Sequence, residues 1–346
     1  MRALTLAGHG GFEQLELRTD LPDPGVPDVG EVRLRVQAAA LNHLDVFLVG
    51  GLPGITITPP WIVATDGAGI VESVGAGVTH VAPGDHVIVN PGVSCHDCPY
   101  CRDGDHPLCV RFGILGEHLP GFAAELMRVP ARNVVAIPRE IAFVDAAAFS
   151  LATLTAWRMV VTRAQVKAGD DVLIWGIGGG VALAALAIAK ARGARVWVTS
   201  SSNEKLMRAE ALGADVVINH RTEDVAKSVR AQTGKRGMDV VIDSVGEATW
   251  TQSLGSLGKR GRLVTCGGTS GPMLQTDVRR LFWNQWTIMG STMGTEAEYA
   301  AIAAEFIAGR LRLPVDSVHA LADARAAYER LHSGAQFGKV VLQVAE

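Results

Sequence analysis

The chain has 346 residues, of which 48% are hydrophobic and 19% are charged, and its formal net charge at pH 7 is -3. This length allows two domains with a sizeable core, and the near-neutral charge gives no sign of a nucleic-acid or anionic-membrane partner. No apolar block follows Arg2 and no later apolar run is long enough to span a bilayer, so we expect a cytoplasmic protein.

Residues 1–152 predict an irregular, mostly antiparallel β-domain. Apolar and polar residues alternate at 32–36, which is typical of a half-buried strand, and further strands are expected at 69–74, 86–90 and 126–129. Turn sequences rich in Pro, Gly and Asp separate these runs at 22–25 and 82–85.

After residue 152, short apolar strands alternate with helices. We predict strands at 171–175, 195–199, 215–219, 238–243, 262–266 and 287–291, with helices at 181–192, 204–212, 222–233, 248–257 and 277–286. This order is typical of a doubly wound parallel sheet, so the fold class is α/β. A final strand is expected at 337–342.

Four of the five cysteines follow the pattern Cys95-x2-Cys98-x2-Cys101-x7-Cys109. Four thiolates at this spacing can surround one zinc ion tetrahedrally and leave no position for substrate, so we predict a structural zinc. The alternatives are an iron–sulfur cluster, a redox pair or free thiols. Cys266 ends a predicted core strand, and we interpret it as a buried apolar residue.

A glycine-rich turn follows the strand at 171–175. Glycines at such a turn let the backbone approach a pyrophosphate, which the N–H groups of the next helix then bind. The GxGxxG pattern is not met literally, and a purely structural turn is the alternative. The five further strands in βα alternation favour dinucleotide binding by Gly178, Gly179, Gly180 and Val181.

The end of the second strand of this sheet distinguishes NADPH from NADH. An NAD site usually has an acid there, whereas this chain has Ser200, Ser201, Ser202 and Lys205, with His220 after the third strand. Hydroxyl groups and a lysine favour a 2′-phosphate, so we predict NADPH over NADH. The serines also suit a helix cap, which is compatible with this role.

The β-domain, the cysteine pattern, the Rossmann-like half and the segments 82–87, 243–246 and 337–341 together resemble the medium-chain dehydrogenase/reductase superfamily over essentially the whole chain. The resemblance implies a GroES-like irregular β-barrel domain at 1–152 and 294–346, which carries a zinc lobe at 92–112. It also implies a Rossmann cofactor domain at 153–293 and an active site between the two.

The alcohol dehydrogenases of this superfamily hold a catalytic zinc with Cys, His and Cys. Their places are taken here by Asn42, Thr65 and Leu151, and the proton-relay hydroxyl is replaced by Leu44. An amide, a hydroxyl and an alkyl group cannot replace two thiolates and an imidazole. Asn42 resembles the quinone oxidoreductase branch, which has no catalytic zinc, although most of that branch also lacks the zinc lobe.

Asn42 and Thr65 are therefore the predicted catalytic residues, as donors to the oxygen that becomes negative during hydride transfer. The alternative is that they fill the vacated metal cavity and hydrogen-bond each other. The resemblance places His43 against the cofactor phosphates. Lys339 approaches the cofactor or is a surface lysine, and Glu117 with His118 reaches the substrate or forms a solvated surface pair.

We expect an NADPH-dependent oxidoreductase that reduces a quinone or an α,β-unsaturated carbonyl without catalytic zinc. The alternatives are a zinc-containing alcohol dehydrogenase with an unusual active site and a non-catalytic NADPH-binding protein. The expected partners are a small-molecule substrate and a second copy of the chain, in a homodimer or homotetramer. Trp283 and Trp286 are candidates for that contact or for the core.

Overall fold

A computed structural model describes residues 1–345 of the protein. The strands are β1 (Ala3–Leu6), β2 (Leu15–Arg18), β3 (Glu31–Leu41), β4 (Trp61–Ile62), β5 (Asp66–Val74), β6 (His86–Val89), β7 (Gly92–Val93), β8 (Gly113–Ile114), β9 (Leu126–Pro130), β10 (Val134–Ile137), β11 (Asp171–Ile174), β12 (Arg195–Ser200), β13 (Val216–Asn219), β14 (Met238–Asp243), β15 (Leu257–Thr265), β16 (Thr287–Gly290), β17 (Val315–Ala320) and β18 (Lys339–Gln343).

The α-helices are α1 (His43–Gly50), α2 (Pro99–Arg102), α3 (Phe143–Ala147), α4 (Ser150–Trp157), α5 (Gly180–Ala191), α6 (Asn203–Ala211), α7 (Val225–Gln232), α8 (Glu247–Ser256), α9 (Val278–Asn284), α10 (Glu296–Ile307) and α11 (Ala324–His332). Across residues 1–345, no helix combines the length and apolar character that crossing a membrane requires. The chain divides into two compact units, Met1–Ala152 with Gly294–Glu346 and Thr153–Met293.

The first unit is built on a mixed sheet with the strand order β10-β6-β5-β3-β18-β17, and β9 also pairs with β3. The long strand β3 is its centre because its alternating residues Val32, Leu34 and Val36 are all buried while their neighbours face outward. Strand β18 pairs antiparallel with the end of β3, so Val340 lies opposite Leu41. This pairing brings the C-terminal segment beside the residues that begin α1.

The second unit contains a six-stranded parallel sheet with the order β13-β12-β11-β14-β15-β16. Its central strands are apolar on both faces, as helices on both sides of a parallel sheet require. Val172 of β11 pairs with Val196 of β12 and with Val240 of β14, and all three are fully buried. The strand order reverses between β11 and β14, which is where a doubly wound sheet binds its ligand.

Candidate active site and metal centre

The four cysteines meet in a small lobe formed by residues 92–112. Strand β7 at the start of the lobe pairs with β8 directly after it, and α2 begins directly after Cys98 with a proline at its first position. Cys98, Cys101 and Cys109 are buried and Cys95 is half-buried. The short helix and the turn before Cys109 therefore fold back so that the sulfur atoms converge.

The geometry of this lobe fits a tetrahedral metal. All four sulfur atoms lie within 4.8 Å of one another, and Cys95 Sγ is 3.9 Å from Cys101 Sγ. A Zn–S bond of about 2.3 Å places tetrahedral thiolates about 3.8 Å apart. The backbone N–H groups of Cys95 and Arg111 both donate to Cys109 Sγ at 3.3 Å, which favours the thiolate. The donor set thus suits a structural zinc held by Cys95, Cys98, Cys101 and Cys109.

A second polar cluster lies where β3 ends and α1 begins. Asn42 caps α1: the backbone N–H of Asn42 donates to Asp45 Oδ2 at 2.7 Å, in a capping box. The Thr65 hydroxyl donates to the same Asp45 oxygen at 3.0 Å, and the Asn42 amide donates to Thr65 Oγ1 at 2.8 Å. Thr65 and Asp45 are both fully buried.

Asp66 and Lys339 complete this cluster as a buried ion pair. Lys339 Nζ lies 3.0 Å from Asp66 Oδ2 and donates to Asn42 Oδ1 at 2.5 Å. The exposed fraction of the side chain is 3% for Lys339 and 0% for Asp66. Asp66 also accepts from the Asn42 amide at 2.9 Å and from the backbone N–H of Leu151 at 2.8 Å. We call Asn42, Asp45, Thr65, Asp66 and Lys339 the buried network.

The structure therefore brings the three places of the missing zinc ligands together. Asn42 and Thr65 belong to the buried network, and Leu151 contributes its backbone N–H to Asp66 while its side chain is alkyl. The ammonium group of Lys339 stands beside the amide oxygen of Asn42. A cation beside one amide and one hydroxyl is not a zinc-binding donor set, so these residues do not fit a catalytic zinc.

The buried network changes the interpretation of the two predicted catalytic residues. Both amide hydrogens of Asn42 have acceptors, Thr65 Oγ1 and Asp66 Oδ2, and the Thr65 hydroxyl donates to Asp45. A substrate oxygen would have to compete with two carboxylates for these hydrogens. The geometry thus agrees with the alternative stated above, in which the two side chains hydrogen-bond each other. The surface-lysine alternative for Lys339 is wrong because its side chain is buried.

Glu117 is buried in the turn that packs on Thr65 through its neighbour. Its neighbour Gly116 packs on Ala64 and Thr65 so closely that a Cβ on that glycine would lie 3.0 Å from Thr65 Cγ2. Burial raises the pKa of Glu117 to about 7, so the carboxyl group carries a proton in a large share of molecules near neutral pH. His118 Nδ1 lies 3.6 Å from Glu117 Oε2. The solvated-pair alternative is therefore wrong for Glu117, which is 7% exposed.

The glycine-rich turn lies at the carboxyl end of β11 in the second unit. Gly178 has a φ of 121°, which side chains rarely adopt, and Gly179 is the N-cap of α5. Gly180 and Val181 form the first turn of that helix, where N–H groups have no partners within the helix. A Cβ at Gly179 would meet nothing nearer than 3.9 Å, so the backbone there is open to close approach.

The residues predicted to select the cofactor surround the end of β12. Ser202 caps α6 by accepting from the backbone N–H of Lys205 at 3.4 Å, and Ser200 Oγ accepts from the backbone N–H of Ser202. Ser201 is exposed, and His220 is exposed directly after β13. The helix-cap interpretation is thus correct for Ser202.

Two further residues from the sequence prediction have clear places. His43 is the first residue of α1 and is half-buried, with its ring 6.3 Å from that of Phe47. Cys266 follows β15 directly and is half-buried, and burial raises the pKa of its thiol to about 12. A thiol with this pKa is a poor nucleophile, in line with its interpretation as an apolar residue.

The sequence analysis missed Asp66 as the centre of the buried network and Asp243 as an organiser of the second unit. Asp243 ends β14, is fully buried, and accepts from the backbone N–H groups of Val245 and Gly246 and from the Thr249 and Ser253 hydroxyls. An acid that ends an apolar strand and precedes a glycine turn was the available signal. Asp243 thus fixes the loop that follows β14, and β14 pairs with β11, the strand before the glycine-rich turn.

Comparison with known proteins covers both units. Residues 28–139 match the alcohol dehydrogenase GroES-like domain, and residues 180–309 match the zinc-binding dehydrogenase family. A zinc-type alcohol dehydrogenase-like protein of Schizosaccharomyces pombe is 33% identical over 96% of each chain. The quinone oxidoreductase of Lama guanicoe is 30% identical over 99% of this chain and 97% of its own. A solved structure described as an NAD-dependent alcohol dehydrogenase is 42% identical, with a TM-score of 0.95 and full coverage of both chains.

These similarities confirm the predicted fold class and the predicted resemblance. The relatives are oxidoreductases, and the matched family indicates zinc and a nicotinamide cofactor. The chain belongs to the medium-chain dehydrogenase/reductase superfamily and is an NAD(P)H-dependent oxidoreductase.

Proposed function

We propose that the protein is an NADPH-dependent reductase of quinones or α,β-unsaturated carbonyls whose reaction uses no metal at the substrate oxygen. The observation that carries this proposal is the buried network, in which Asn42 and Thr65 stand at two of the zinc-ligand positions and Lys339 and Asp66 hydrogen-bond to Asn42. An alcohol dehydrogenase of this superfamily uses that zinc to deprotonate an alcohol. Without it, the reduction of an already activated electrophile is the reaction that remains accessible.

The protein must then neutralise charge on the substrate oxygen. When bound, the cofactor would supply a hydride to the electrophilic carbon, and the π pair of the carbonyl group would move to its oxygen, directly or through a conjugated C=C bond. One proton completes the reduction. A neutral acid near that oxygen first stabilises the negative charge by a hydrogen bond and then transfers the proton.

Glu117 is the proposed proton donor. Its pKa of about 7 arises from burial, and its segment packs on Thr65 in the wall of the buried network. Groups with a pKa near the working pH are the most effective general acids. Asn42 and Thr65 are assigned a positioning role, because their hydrogens hold Asp45 and Asp66 in place.

The assay compares reduction of a naphthoquinone, an enal and a simple aldehyde with NADPH and NADH. We expect turnover of the first two and little of the third. Glu117→Gln should lower kcat by about 100-fold or more and abolish the decline in rate as pH rises above about 7. The exposed Glu140 provides a matched control, since Glu140→Gln should change neither property. An unchanged pH profile in Glu117→Gln would refute the assignment.

NADPH rather than NADH is proposed from the polar end of β12, where no acid occurs between Thr199 and Asn203. Ser201 is exposed there, Lys205 lies in the first turn of α6, and His220 follows β13. Lys205→Ala should lower kcat/KM for NADPH at least tenfold and leave that for NADH nearly unchanged, because only NADPH carries the 2′-phosphate. A wild-type preference for NADH would contradict this proposal.

A second candidate function is alcohol oxidation with NAD. It is favoured by the 42% identical neighbour, which is described as an NAD-dependent alcohol dehydrogenase. This function predicts alcohol oxidation that chelators abolish. The proposed reductase instead keeps its quinone activity after treatment with a chelator too weak to remove the zinc of the cysteine lobe, and it carries one tightly held zinc per chain.

We also propose a homo-oligomer that uses the edge of the parallel sheet. Strand β16 ends that sheet with one neighbour among residues 1–345, and α9 before it exposes 63% of Phe282 and 78% of Trp283. Exposed edge strands and large apolar surfaces are usually covered in stable proteins. Trp286 is buried instead and belongs to the core. Trp283→Arg should shift the mass measured by light scattering towards the monomer.

A further inference from the structure

A second group of metal-ligand side chains lies beside the cysteine lobe and shares none of its cysteines. His96 follows Cys95 directly, His106 lies in the turn before Cys109, and Glu296 begins α10. His96 Nε2 is 3.2 Å from Glu296 Oε1, and His106 Nε2 is 3.7 Å from Glu296 Oε2. One ligand atom from each of these three residues lies within 4.8 Å of the other two.

Glu296 is available for this contact because other residues cap its helix. Thr295 Oγ1 accepts from the backbone N–H of Glu298 at 3.1 Å, and the Glu298 carboxylate accepts from the backbone N–H of Thr295 at 2.6 Å. This capping box satisfies the helix start without Glu296. Its carboxylate instead turns to two imidazole rings that the chain supplies about 190 residues earlier.

The three side chains are partly exposed, so a cation can reach them from solvent and is partly shielded once it is bound. Their exposed fractions are 24% for His96, 15% for His106 and 37% for Glu296. His96 has a left-handed backbone with φ of 61°, which is uncommon for a residue other than glycine. The two ring centroids lie 5.2 Å apart, and the Nε2 atom of each ring faces the Glu296 carboxylate.

Two imidazoles and one carboxylate are a zinc-type donor set that leaves a fourth position for water. Bonds of about 2.0–2.2 Å place tetrahedral ligand atoms about 3.3–3.6 Å apart. Each imidazole lies at a comparable distance from one oxygen of Glu296, 3.2 Å for His96 and 3.7 Å for His106. His106 Nδ1 accepts from the Glu296 backbone N–H at 3.4 Å. When a cation binds Nε2 of His106, the ring proton sits on Nδ1 and this hydrogen bond is lost. The affinity for the cation is therefore lower here than at the four-cysteine site.

We propose that His96, His106 and Glu296 bind one divalent cation of the zinc class, separately from the four-cysteine zinc. The bound cation joins the cysteine lobe to the start of α10, both of which belong to the first unit. It has no thiolate ligand and keeps a water molecule. This assignment is independent of the reaction proposed above.

Cobalt titration tests the proposal on the full-length protein without an affinity tag. The protein keeps its tightly held lobe metal and is dialysed to remove weakly bound ions, and Co²⁺ is added while heat and visible absorption are recorded. We expect one further Co²⁺ per chain, with d–d absorption but without the intense near-ultraviolet charge-transfer band that thiolate ligands produce. His96→Ala with His106→Ala, and separately Glu296→Gln, should each weaken binding at least about tenfold.

The controls separate this site from others. His80→Ala removes an exposed histidine whose Nε2 contacts the Ala131 carbonyl oxygen, and it should leave Co²⁺ binding unchanged. Glu296→Gln changes a residue outside the lobe, so it tests the site even if the histidine variants lose the lobe metal. Absence of a further Co²⁺, a thiolate charge-transfer band, or unchanged affinity in Glu296→Gln would each overturn the proposal.

Discussion

Replacement of Lys339 by Met should destabilise the protein strongly, because it leaves Asp66 as a buried charge without its counter-ion. The ammonium lies 3.0 Å from Asp66 Oδ2 and also satisfies Asn42 Oδ1. Removal of one partner of a buried ion pair costs about 3–5 kcal/mol in the free energy of unfolding. The remaining donors to Asp66, the Asn42 amide and the Leu151 N–H, do not neutralise its charge.

The size of this loss should depend on pH. A carboxylate without its counter-ion is costly to bury only in its charged form. Carboxyl groups are fully charged at pH 8 and carry more protons towards acidic pH, so the loss should be largest at high pH. Lys339→Met should therefore be closest to wild type at acidic pH and furthest from it at pH 8.

Urea denaturation followed by circular dichroism at pH 5 and pH 8 provides the measurement. The variants are Lys339→Met, Asp66→Asn and the double variant, with Lys259→Met as an exposed control expected to change stability by less than about 0.5 kcal/mol. The loss in the free energy of unfolding should be at least about 1 kcal/mol smaller in the double variant than the sum of the two single losses. A loss below about 1 kcal/mol in Lys339→Met, or additive effects, would refute the assignment of a buried ion pair.

Three further changes test other parts of the structure. Burial raises the pKa of Asp45 to about 7. The free energy of unfolding should therefore fall as pH rises from about 4 to about 7, and Asp45→Asn should flatten this dependence in urea denaturation. The buried Tyr328 hydroxyl has no hydrogen-bond partner in the structure. Tyr328→Phe should therefore match or exceed the wild-type free energy of unfolding, and a decrease above about 1 kcal/mol would contradict this. Cys98→Ser should lower the zinc content by about one ion per chain and weaken the lobe, as elemental analysis and proteolysis would show, whereas Cys266→Ser should leave the zinc content unchanged.

Much of the second unit could be predicted from the sequence because its signals are local. Short apolar runs that alternate with helical segments indicated all six parallel strands, most within two residues of their ends. Strand β15 begins five residues earlier than predicted, since the segment Gly-Lys-Arg-Gly at 258–261 interrupts the apolar pattern. Helix α10 was not predicted, although its capping box at Thr295 and Glu298 was a usable signal.

The candidate site could be predicted only in part. The resemblance identified positions 42, 65 and 151 as the vacated metal site, and the structure brings all three to Asp66. The partner of Asp66 could not be inferred, because Lys339 lies 273 residues away and no periodicity links the two. The burial of Glu117 likewise depends on how its turn packs against Thr65, whereas a charged residue in a turn is ordinarily exposed.

The position of Lys339 has a consequence for chemical labelling. It is the only lysine in the two stretches that form the first unit, 1–152 and 294–346, while the second unit contains all the others. Amine-reactive reagents will therefore find no exposed lysine in the first unit of the folded protein, and cross-linkers of this type will report mainly on the second unit. Acylation of Lys339 requires the first unit to open, so the rate of its appearance in a mass spectrum measures that opening directly.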